Sequence, residues 1–442
     1  MRKYTIIGCL AVGIILLFIG TVIIPSSGQN IEKTSSSISR GNTLYVGGSG
    51  PGNYTGIQDA INDSSDWDTI FVYHGMYFEN VIIDRSIVLI GENKNTTIID
   101  GGSDWSGGNA VTIDSNWVNI SGFTIQNSIN GSRPYSGISI YYSCYNNITG
   151  NIITHNDFGI HLSNNSNYST ISKNIFTNNS WGIAILHNSN FNNIINNNIT
   201  KNKIGIELFD HSDFNNIINN TITNNKNGNG IYLSGSHNNT ISSNTISDNY
   251  YDSIYLSFSD NNTISNNTIT NSFNGIMLWY GDNNTISENT ITNNDHNGID
   301  IENGNYNNII NNTISNNVHN GINPTHSDLN TIINNTIVNN NDYGVSLEYS
   351  NGNDITSNNI SKNKLGMYIR LSTDNTILKN NFLKNKKDAF FNNSKENTWN
   401  HNYWNRPRIL PKLIFGTIDY DPFTMVWFNI DWRPALKPYD IP

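Results

Sequence analysis

Seven side chains that carry aromatic rings or carboxylates stand at matching positions of a repeated sequence and could together bind a sugar. They are Glu207, Phe209, Tyr232, Tyr255, Trp279, Asp300 and Glu302. Aromatic rings stack on the apolar faces of sugar rings, and carboxylates accept hydrogen bonds from sugar hydroxyls. The pattern therefore predicts a ligand-binding face. The structural alternative is an aromatic ladder that only stiffens a sheet.

Two of these residues are acids that could do more than bind. Asp300 and Glu302 are two residues apart, so on one strand their carboxyl groups would be about 7 Å apart, which lies within the range used by inverting glycosidases. Two acids at this spacing are also common on protein surfaces. The sequence therefore leaves hydrolysis as an alternative and assigns no catalytic residue.

Metal binding is a third chemistry that the sequence permits. Four histidines follow the equivalent short apolar segment in different repeats, namely His187, His211, His237 and His326. Copper sites need convergent His, Met or Cys ligands. The histidines stand at shifting offsets and the chain has only 5 Met. The sequence thus predicts no metal-ligand set and no cofactor.

The candidate residues are positioned by a repeat that runs from about Asn146 to Asn392. Aligned Gly-Ile pairs recur about every 23 residues, a period typical of solenoids. Each period holds three short apolar segments rich in β-branched residues, which we call pulses, such as Thr285-Ile286, Thr290-Ile291 and Ile299 to Ile301. This pattern predicts three strands per coil, each pairing with its equivalent one coil on, and parallel crossovers are right-handed. The predicted fold is an all-β, right-handed parallel β-helix.

In the Gly-Ile-x-Leu-x pulse, Ile and Leu should face inward and the two x residues outward. All seven candidate residues occupy x positions of this pulse. The x residues vary from coil to coil, whereas the outward positions of the other pulses are mostly Thr and Ser. The outward face of the strands formed by this pulse is therefore the one whose residues are free to vary and to bind a ligand.

Asparagine is abundant and stands at recurrent turn positions. The alignment places Asn262, Asn284 and Asn308 in one column, and Asn267, Asn289 and Asn312 in another. Asn tolerates left-handed backbone conformations, and equivalent amides about 4.8 Å apart can hydrogen bond along a stack. We expect these residues to be structural.

The segments on either side of the repeats differ in composition. The apolar run from Ile6 to Ile24 follows Arg2 and Lys3, which predicts a signal peptide or membrane anchor and export of the rest. The seven residues Ile57 to Asp63, with Ile57, Ala60 and Ile61 on one face, predict a helix that covers one end of the solenoid. The predicted division is 1–28 signal peptide or anchor, 29–42 flexible tether, 43–110 N-terminal cap and first coils, 111–392 regular coils, and 393–442 aromatic and Pro-rich C-terminal cap.

Composition excludes one class of partner. The 442 residues carry a formal charge of −10, whereas nucleic-acid binding needs clustered Lys and Arg. Only Cys9 and Cys144 are present, so the exported part has no internal disulfide and must be stabilised by stacking. We expect Cys144 to be a packing residue. The aromatics after residue 393 could also mark a partner-binding module.

The opening of the chain resembles that of pectin-lyase-like proteins, through Ile57 to Asp63, Asp68 to Ile83, Ser86 to Glu92 and Thr97 to Gly101. With the repeats and the ending Asn402-Tyr-Trp-Asn405, the chain looks like the NosD-like parallel β-helix proteins, many of which are archaeal surface proteins. The resemblance covers nearly everything from Thr43 onward. It implies the scaffold, and for NosD-like proteins it implies extracytoplasmic copper handling.

The catalytic motifs of that superfamily do not accompany the resemblance. Pectin methylesterase-like sites use a Gln pair, Asp and Arg, whereas this chain has only Gln29, Gln58 and Gln126. Gly-His-Gly and Arg-x-Lys, which mark polygalacturonase-like sites, are absent, and Arg370 stands alone where pectate-lyase-like sites need clustered charges. We therefore predict an exported cell-surface protein that binds polysaccharide or serves surface architecture without catalysis. A carbohydrate-active enzyme and a copper-handling accessory protein are the alternatives.

Overall fold

The computed structural model describes residues 41–102, 108–128, 134–420 and 423–441. Gly41–Pro442 form one compact unit. The predicted signal peptide or anchor and nearly all of the tether lie outside the described residues. Among the residues described, no helix is long and apolar enough to span a membrane.

The described chain is a right-handed parallel β-helix with three strands per coil, as predicted. Each strand pairs in parallel with its equivalent in the next coil, for example Thr263–Ser265 with Thr285–Ser287. Sheets 1, 2 and 3 follow one another along every regular coil. This arrangement arises because β-branched pulses of three to six residues are separated by turn residues at a constant period.

Sheet 1 contains the strands Thr43–Val46, Thr69–Val72, Val88–Gly91, Asn119–Ser121, Asn147–Thr149, Thr170–Ser172, Asn193–Ile195, Asn216–Ile218, Thr240–Ser242, Thr263–Ser265, Thr285–Ser287, Asn308–Ile310, Thr331–Ile333, Asp354–Thr356, Thr376–Leu378, Thr398–Asn400 and Phe423–Asp431. Sheet 2 contains Gly75–Phe78, Thr97–Asp100, Thr124–Gln126, Ile152–Thr154, Ile175–Thr177, Asn198–Thr200, Thr221–Thr223, Thr245–Ser247, Thr268–Thr270, Thr290–Thr292, Thr313–Ser315, Thr336–Val338, Asn359–Ser361, Asn381–Leu383 and Tyr403–Trp404.

Sheet 3 contains Val81–Ile83, Val111–Ile113, Ser136–Tyr141, Phe158–Ser163, Trp181–Leu186, Ile204–Phe209, Ile231–Ser234, Ile254–Ser257, Ile276–Trp279, Ile299–Glu302, Ile322–Thr325, Tyr343–Glu348, Leu365–Arg370, Lys387–Asn392 and Lys412–Tyr420. The last strands of sheets 1 and 3 pair with each other as an antiparallel hairpin. The predicted helix spans Ile57–Asp63 and buries Ile57, Ala60 and Ile61.

The interior is filled by stacks of isoleucine and leucine, contributed by each strand of every coil. In the coil that begins at Thr285, the buried side chains are Ile286, Ile291, Ile299 and Ile301, all with no exposed surface. Cys144 is also buried, at 2% exposure. Because each coil contacts only its neighbours, stability grows by adding coils.

Ladders of buried asparagines line the corners of the coil. In the ladder between sheets 1 and 2, the Asn289 Oδ1 accepts hydrogen bonds from the backbone N–H (2.9 Å) and the side-chain amide (3.0 Å) of Asn267. The Asn267 amide also donates to the carbonyl of Ile241 at 2.9 Å. The Asn267 side chain therefore satisfies two backbone groups of the preceding coil, the N–H of Asn244 and the carbonyl of Ile241, that would otherwise be buried and unpaired.

One column of the predicted ladders was wrong by a single residue. Asn284 donates to Asn307, not to Asn308, because Asn308 begins a sheet 1 strand and pairs with Thr285. Adjacent asparagines look equivalent in sequence, but only one of the two points into the corner. Asn267, Asn289 and Asn312 do form one ladder.

The glycine that opens each regular sheet 3 strand is required by close packing between coils. A Cβ on Gly275 would lie 2.5 Å from the carbonyl oxygen of Gly298 and 3.1 Å from the Asn294 amide. Ser253 takes the glycine position in one coil, and there Ser272 replaces the ladder asparagine of the next coil, with the two hydroxyl oxygens 2.8 Å apart. The glycine and the asparagine are thus matched.

Candidate functional site

Sheet 3 arranges the predicted site residues in two columns, because its strands pair in register. The first column runs through Glu207, Tyr232, Tyr255, Met277 and Asp300. Glu207, Tyr232, Tyr255 and Asp300 therefore share one line along the solenoid, and Met277 interrupts it.

The second column separates the other three predicted residues. It runs from Phe209 through Ser234 and Ser257 to Trp279 and Glu302. Two serines thus lie between Phe209 and Trp279. The ring of Phe209 instead contacts that of His187, at 6.3 Å between ring centres. Phe209 shares its strand with Glu207 but is separated along its own column from Trp279 and Glu302.

Two aromatic groups lie side by side on sheet 3. Tyr232 and Tyr255 are stacked with their ring centres 5.2 Å apart and 21° between the planes. Next to them, Trp279 lies 5.0 Å from both Phe258 and Tyr280, at angles of 72° and 80°. Trp279 therefore has no parallel ring among these contacts, unlike the tyrosine pair, and its side chain is half-buried.

Phe258 and Tyr280 were missed by the sequence argument. They stack on each other at 5.0 Å, 8° from parallel, and both are about half exposed. Both have left-handed backbones, with φ of 48° and 51°, which bulky residues rarely adopt. Equivalent turns of other coils carry Asn303 or Asp210. Other coils carry Tyr142, His326 or Tyr349 at the same position, so the column gave no signal that could have identified them.

On the other side of the tyrosine pair lies a group of carboxylates and amides. Asp300 accepts hydrogen bonds from the side-chain amides of Asn297 and Asn323, both at 2.9 Å. These two donors fix the orientation of the carboxylate on the sheet surface. Glu302 is exposed in the second column.

Asp252 is the second acid of this group and was not predicted. It lies just before the Ile254–Ser257 strand, and its Oδ1 accepts the backbone N–H of Asn274 at 3.1 Å. Burial raises the pKa of Asp252 from its ordinary value of 3.8 to about 6, the hydrogen bonds from Asn274 oppose the rise, and the charge of Asp300 adds to it. The charge of Asp300 therefore contributes to the raised pKa of Asp252.

Asp252 occupies a ladder position that is asparagine in the neighbouring coils. Asn229 precedes it, and Asn274, Asn297 and Asn320 follow, each accepting a backbone N–H from the next coil. An aspartate within a column of asparagines was visible in the sequence once the register was known. Only the fold shows that this aspartate is partly buried and within electrostatic reach of Asp300.

Two other predicted residues have perturbed pKa values that follow from burial. Burial raises the pKa of Glu207. Burial also raises the pKa of the Tyr255 hydroxyl, with smaller effects from Tyr232, Asp252 and Glu302. The tyrosine and acid groups thus form one electrostatic neighbourhood, in which hydroxyls and carboxyls could contact a polyhydroxylated ligand.

A separate aromatic stack at the turn before sheet 1 also escaped prediction. Trp117, Tyr145, Tyr168, Phe191 and Phe214 lie one above another, with ring centres 4.3 to 5.1 Å apart and planes within 7° of parallel. The inner rings have both faces covered. The stack therefore offers ring edges and not ring faces, and it stabilises a turn.

Two family models match the chain. The model described as periplasmic copper-binding protein (NosD) matches residues 186–323 and 229–410. The model of the right-handed β-helix region matches residues 68–228. Together they span the regular coils and most of the irregular first coils.

Individual relatives are more distant. A probable pectinesterase/pectinesterase inhibitor 6 of Arabidopsis thaliana is 27% identical over 142 residues, which cover 27% of this chain and 26% of that protein. The chain thus matches about a quarter of the plant protein's length.

Solved structures share the architecture at low identity. The catalytic domain of GH87 α-1,3-glucanase has a TM-score of 0.49 at 15% identity and covers 81% of this chain and 67% of its own. DFA-IIIase from Arthrobacter chlorophenolicus A6 has a TM-score of 0.47 at 15% identity, covering 77% and 94%. The Azotobacter vinelandii mannuronan C-5 epimerase AlgE6 A-module has a TM-score of 0.45 at 12% identity, covering 77% and 92%. Likeness at these values carries no information about activity.

The described residues do not fit a copper site. Copper needs convergent His, Met or Cys ligands. Within the ranges the structure describes, no three His, Cys, Asp or Glu side chains gather as ligands. Two histidine pairs are in contact: His211 with His237, 6.1 Å between ring centres, and His296 with His319, at 4.5 Å. Neither pair belongs to a three-ligand group among those residues.

Proposed function

Because the chain belongs to the NosD family of right-handed parallel β-helix proteins, we propose that sheet 3 is a polysaccharide-binding face of an exported, cell-surface member of that family. Binding centres on Trp279 and does not require turnover. The observation that carries the proposal is the ring arrangement around Trp279. No parallel ring is stacked on this indole, and the half-exposed rings of Phe258 and Tyr280 lie beside it. The carboxylate of Asp300 on the same sheet is held by two amides.

The chemistry of the face suits a glycan. The indole of Trp279 stacks on the C–H face of a sugar ring. On one side the Tyr232 and Tyr255 hydroxyls donate to sugar oxygens, and Asp300, already oriented by Asn297 and Asn323, accepts from sugar hydroxyls. Coils about 4.8 Å apart give a line of contacts that an extended polymer can follow.

The test is glycan binding by the full-length protein and two variants. Trp279→Ala is expected to weaken binding to the best glycan of an array at least about fivefold, since a stacking contact of this kind contributes more than about 1 kcal/mol. The matched control is Tyr45→Ala, which removes an aromatic ring that is 44% exposed on sheet 1. Equal binding by wild type and Trp279→Ala would refute the assignment of the site.

Asp252 lies two coils from Asp300 on the same side of sheet 3, which favours a second candidate function, glycoside hydrolysis on the same face. A carboxyl group with a raised pKa can protonate the departing glycosidic oxygen, while a second carboxylate activates water. Asp252 has the raised pKa, and Asp300 has the oriented carboxylate. This pair replaces the pair Asp300 and Glu302 that the sequence offered, because Glu302 is exposed and unconstrained.

Release of reducing ends from a bound glycan measures this second function. Asp252→Asn and Asp300→Asn should each abolish release while leaving glycan binding within a few-fold of wild type. Release that persists in both variants contradicts the candidate. Binding without any release in wild type leaves the first function, a non-catalytic glycan-binding face, as the better account.

A further inference from the structure

The aromatic hairpin, formed by Lys412–Tyr420 and Phe423–Asp431, is the part of the described structure least like the rest. Its strands are antiparallel, with pairs from Lys412 and Asp431 to Tyr420 and Phe423. The inner strand joins sheet 3 through Phe391 and Gly416. Among described residues, the outer strand meets sheet 1 only where Asp431 pairs with Trp399. The outer edge of residues 423–430 thus carries backbone groups with no described strand beside them.

The base of the hairpin is integrated into the solenoid. Asp431 is fully buried and accepts hydrogen bonds from the Asn402 backbone N–H at 3.0 Å and from the Trp404 indole at 2.9 Å. It ends the asparagine ladder between sheets 1 and 2. Ile414 and Ile418 are also buried. The hairpin is therefore held in place, and its exposed edge is a fixed feature of the fold.

The exposed part of the hairpin is apolar on both faces. The apolar side chains between 41% and 74% exposed are Leu413, Phe415, Phe423, Met425, Val426, Trp427 and Phe428. Val426 and Trp427 are adjacent, so they point to opposite faces of the strand. Residues 423–430 contain no Lys, Arg, Asp, Glu or Pro, which are the residues that natural proteins use to block edge strands. An edge strand without these residues has unpaired N–H and C=O groups that another strand can pair with.

We propose that the outer strand of the aromatic hairpin pairs with the same strand of a second copy of this chain. An antiparallel pair of identical strands is related by a two-fold axis, so residue i of one copy pairs with residue j of the other and j with i, and only a residue on the axis meets its own equivalent. A strand without charges meets no like-charge repulsion in that arrangement.

The area available suits a stable dimer. Seven apolar side chains that each expose about 100 Å² give the hairpin on the order of 700 Å² of exposed apolar surface per copy, counted over both faces and both strands, and pairing of the two hairpins covers part of it. A standard interface takes about 800 Å² from each partner. The pairing also supplies hydrogen-bond partners to the backbone groups of the outer edge. These main-chain hydrogen bonds add to the affinity that the buried side-chain area provides.

Sedimentation velocity of the full-length protein over a dilution series tests the proposal. Wild type is expected to be a dimer that dissociates on dilution. Val426→Lys and Trp427→Glu place charges on opposite faces of the outer strand, and each should raise the dimer dissociation constant at least tenfold. Phe78→Glu is the matched control, because Phe78 is a strand residue 73% exposed on sheet 2, and it should leave the constant unchanged. Circular dichroism checks that all three variants keep the fold.

Three results would overturn the proposal. The first is a monomer at every concentration. The second is a dimer that both hairpin variants leave intact, which places the interface elsewhere. The third is a monomer that floats with phosphatidylglycerol vesicles in wild type and in Phe78→Glu but not in Trp427→Glu, which makes a lipid surface the occupant of the hairpin.

Discussion

Replacing Asp252 with asparagine should stabilise the protein at neutral pH and not at acidic pH. The unfolded chain ionises Asp252 at its ordinary pKa of 3.8, whereas the folded protein holds the proton up to about pH 6. Between these values the folded state binds more protons, so this residue's contribution to stability falls as the pH rises. Above pH 6 the full penalty is about 3 kcal/mol. An asparagine side chain at this position would keep the hydrogen bond from Asn274 without a charge.

The measurement is the unfolding midpoint at pH 4 and pH 7.5. For a chain of this size, about 3 kcal/mol corresponds to a rise of about 4 °C at pH 7.5, and the expected rise at pH 4 is close to zero. The comparison must be between variant and wild type, because His161 has the opposite pH dependence. Burial lowers the pKa of His161 from 6.5 to about 4, so its contribution to stability grows as the pH rises and masks that of Asp252 in the wild type.

Asp248→Asn is the matched control. It makes the same chemical change four residues earlier, at an exposed turn position, and should not reproduce the gain at pH 7.5. An equal gain at both pH values, or a loss of stability at pH 7.5, would refute the argument from burial. A gain that depends on pH as expected would show that Asp252 is retained at a cost in stability, which is typical of functional residues.

Two further predictions concern the scaffold, and both use thermal unfolding as the measurement. Asn267→Ala removes the acceptor of a buried backbone N–H and should destabilise the protein by about 2–4 kcal/mol, whereas Asn266→Ala, at the exposed neighbouring position, should cost about 1 kcal/mol or less; equal costs would contradict the ladder account. Gly275→Ser should clash with the next coil and destabilise, and adding Asn294→Ser should recover part of the loss as Ser272 does beside Ser253; strictly additive losses would contradict this pairing.

The fold could be predicted because every coil repeats the same local information. Three β-branched pulses per period specify three strands, and one glycine per coil specifies where sheet 3 begins. Register follows as well, since equivalent residues of successive coils must pair. For that reason the columns through Tyr232 and Tyr255 and through Trp279 and Glu302 could be written down from the sequence alone.

The composition of the site could be predicted only in part. The sequence placed Trp279 and Asp300 on the proposed face, because they lie on strands whose inward and outward positions alternate. It missed Phe258 and Tyr280, because they belong to a turn, where no alternation indicates the direction of a side chain. It also missed Asp252, whose ladder position is set by the corner of the coil.

Sequence by itself determined the period, the handedness, the pairing of coils and the face that varies, because these depend on the type and spacing of residues within one repeat. The tertiary structure alone decided which of two adjacent asparagines enters a corner, that Asp252 is partly buried on the same face as Asp300, and that the aromatic hairpin buries Ile414 and exposes Phe415. Those outcomes depend on how the backbone turns in three dimensions at corners and at the end of the solenoid, where the repeat no longer dictates the surroundings of each side chain.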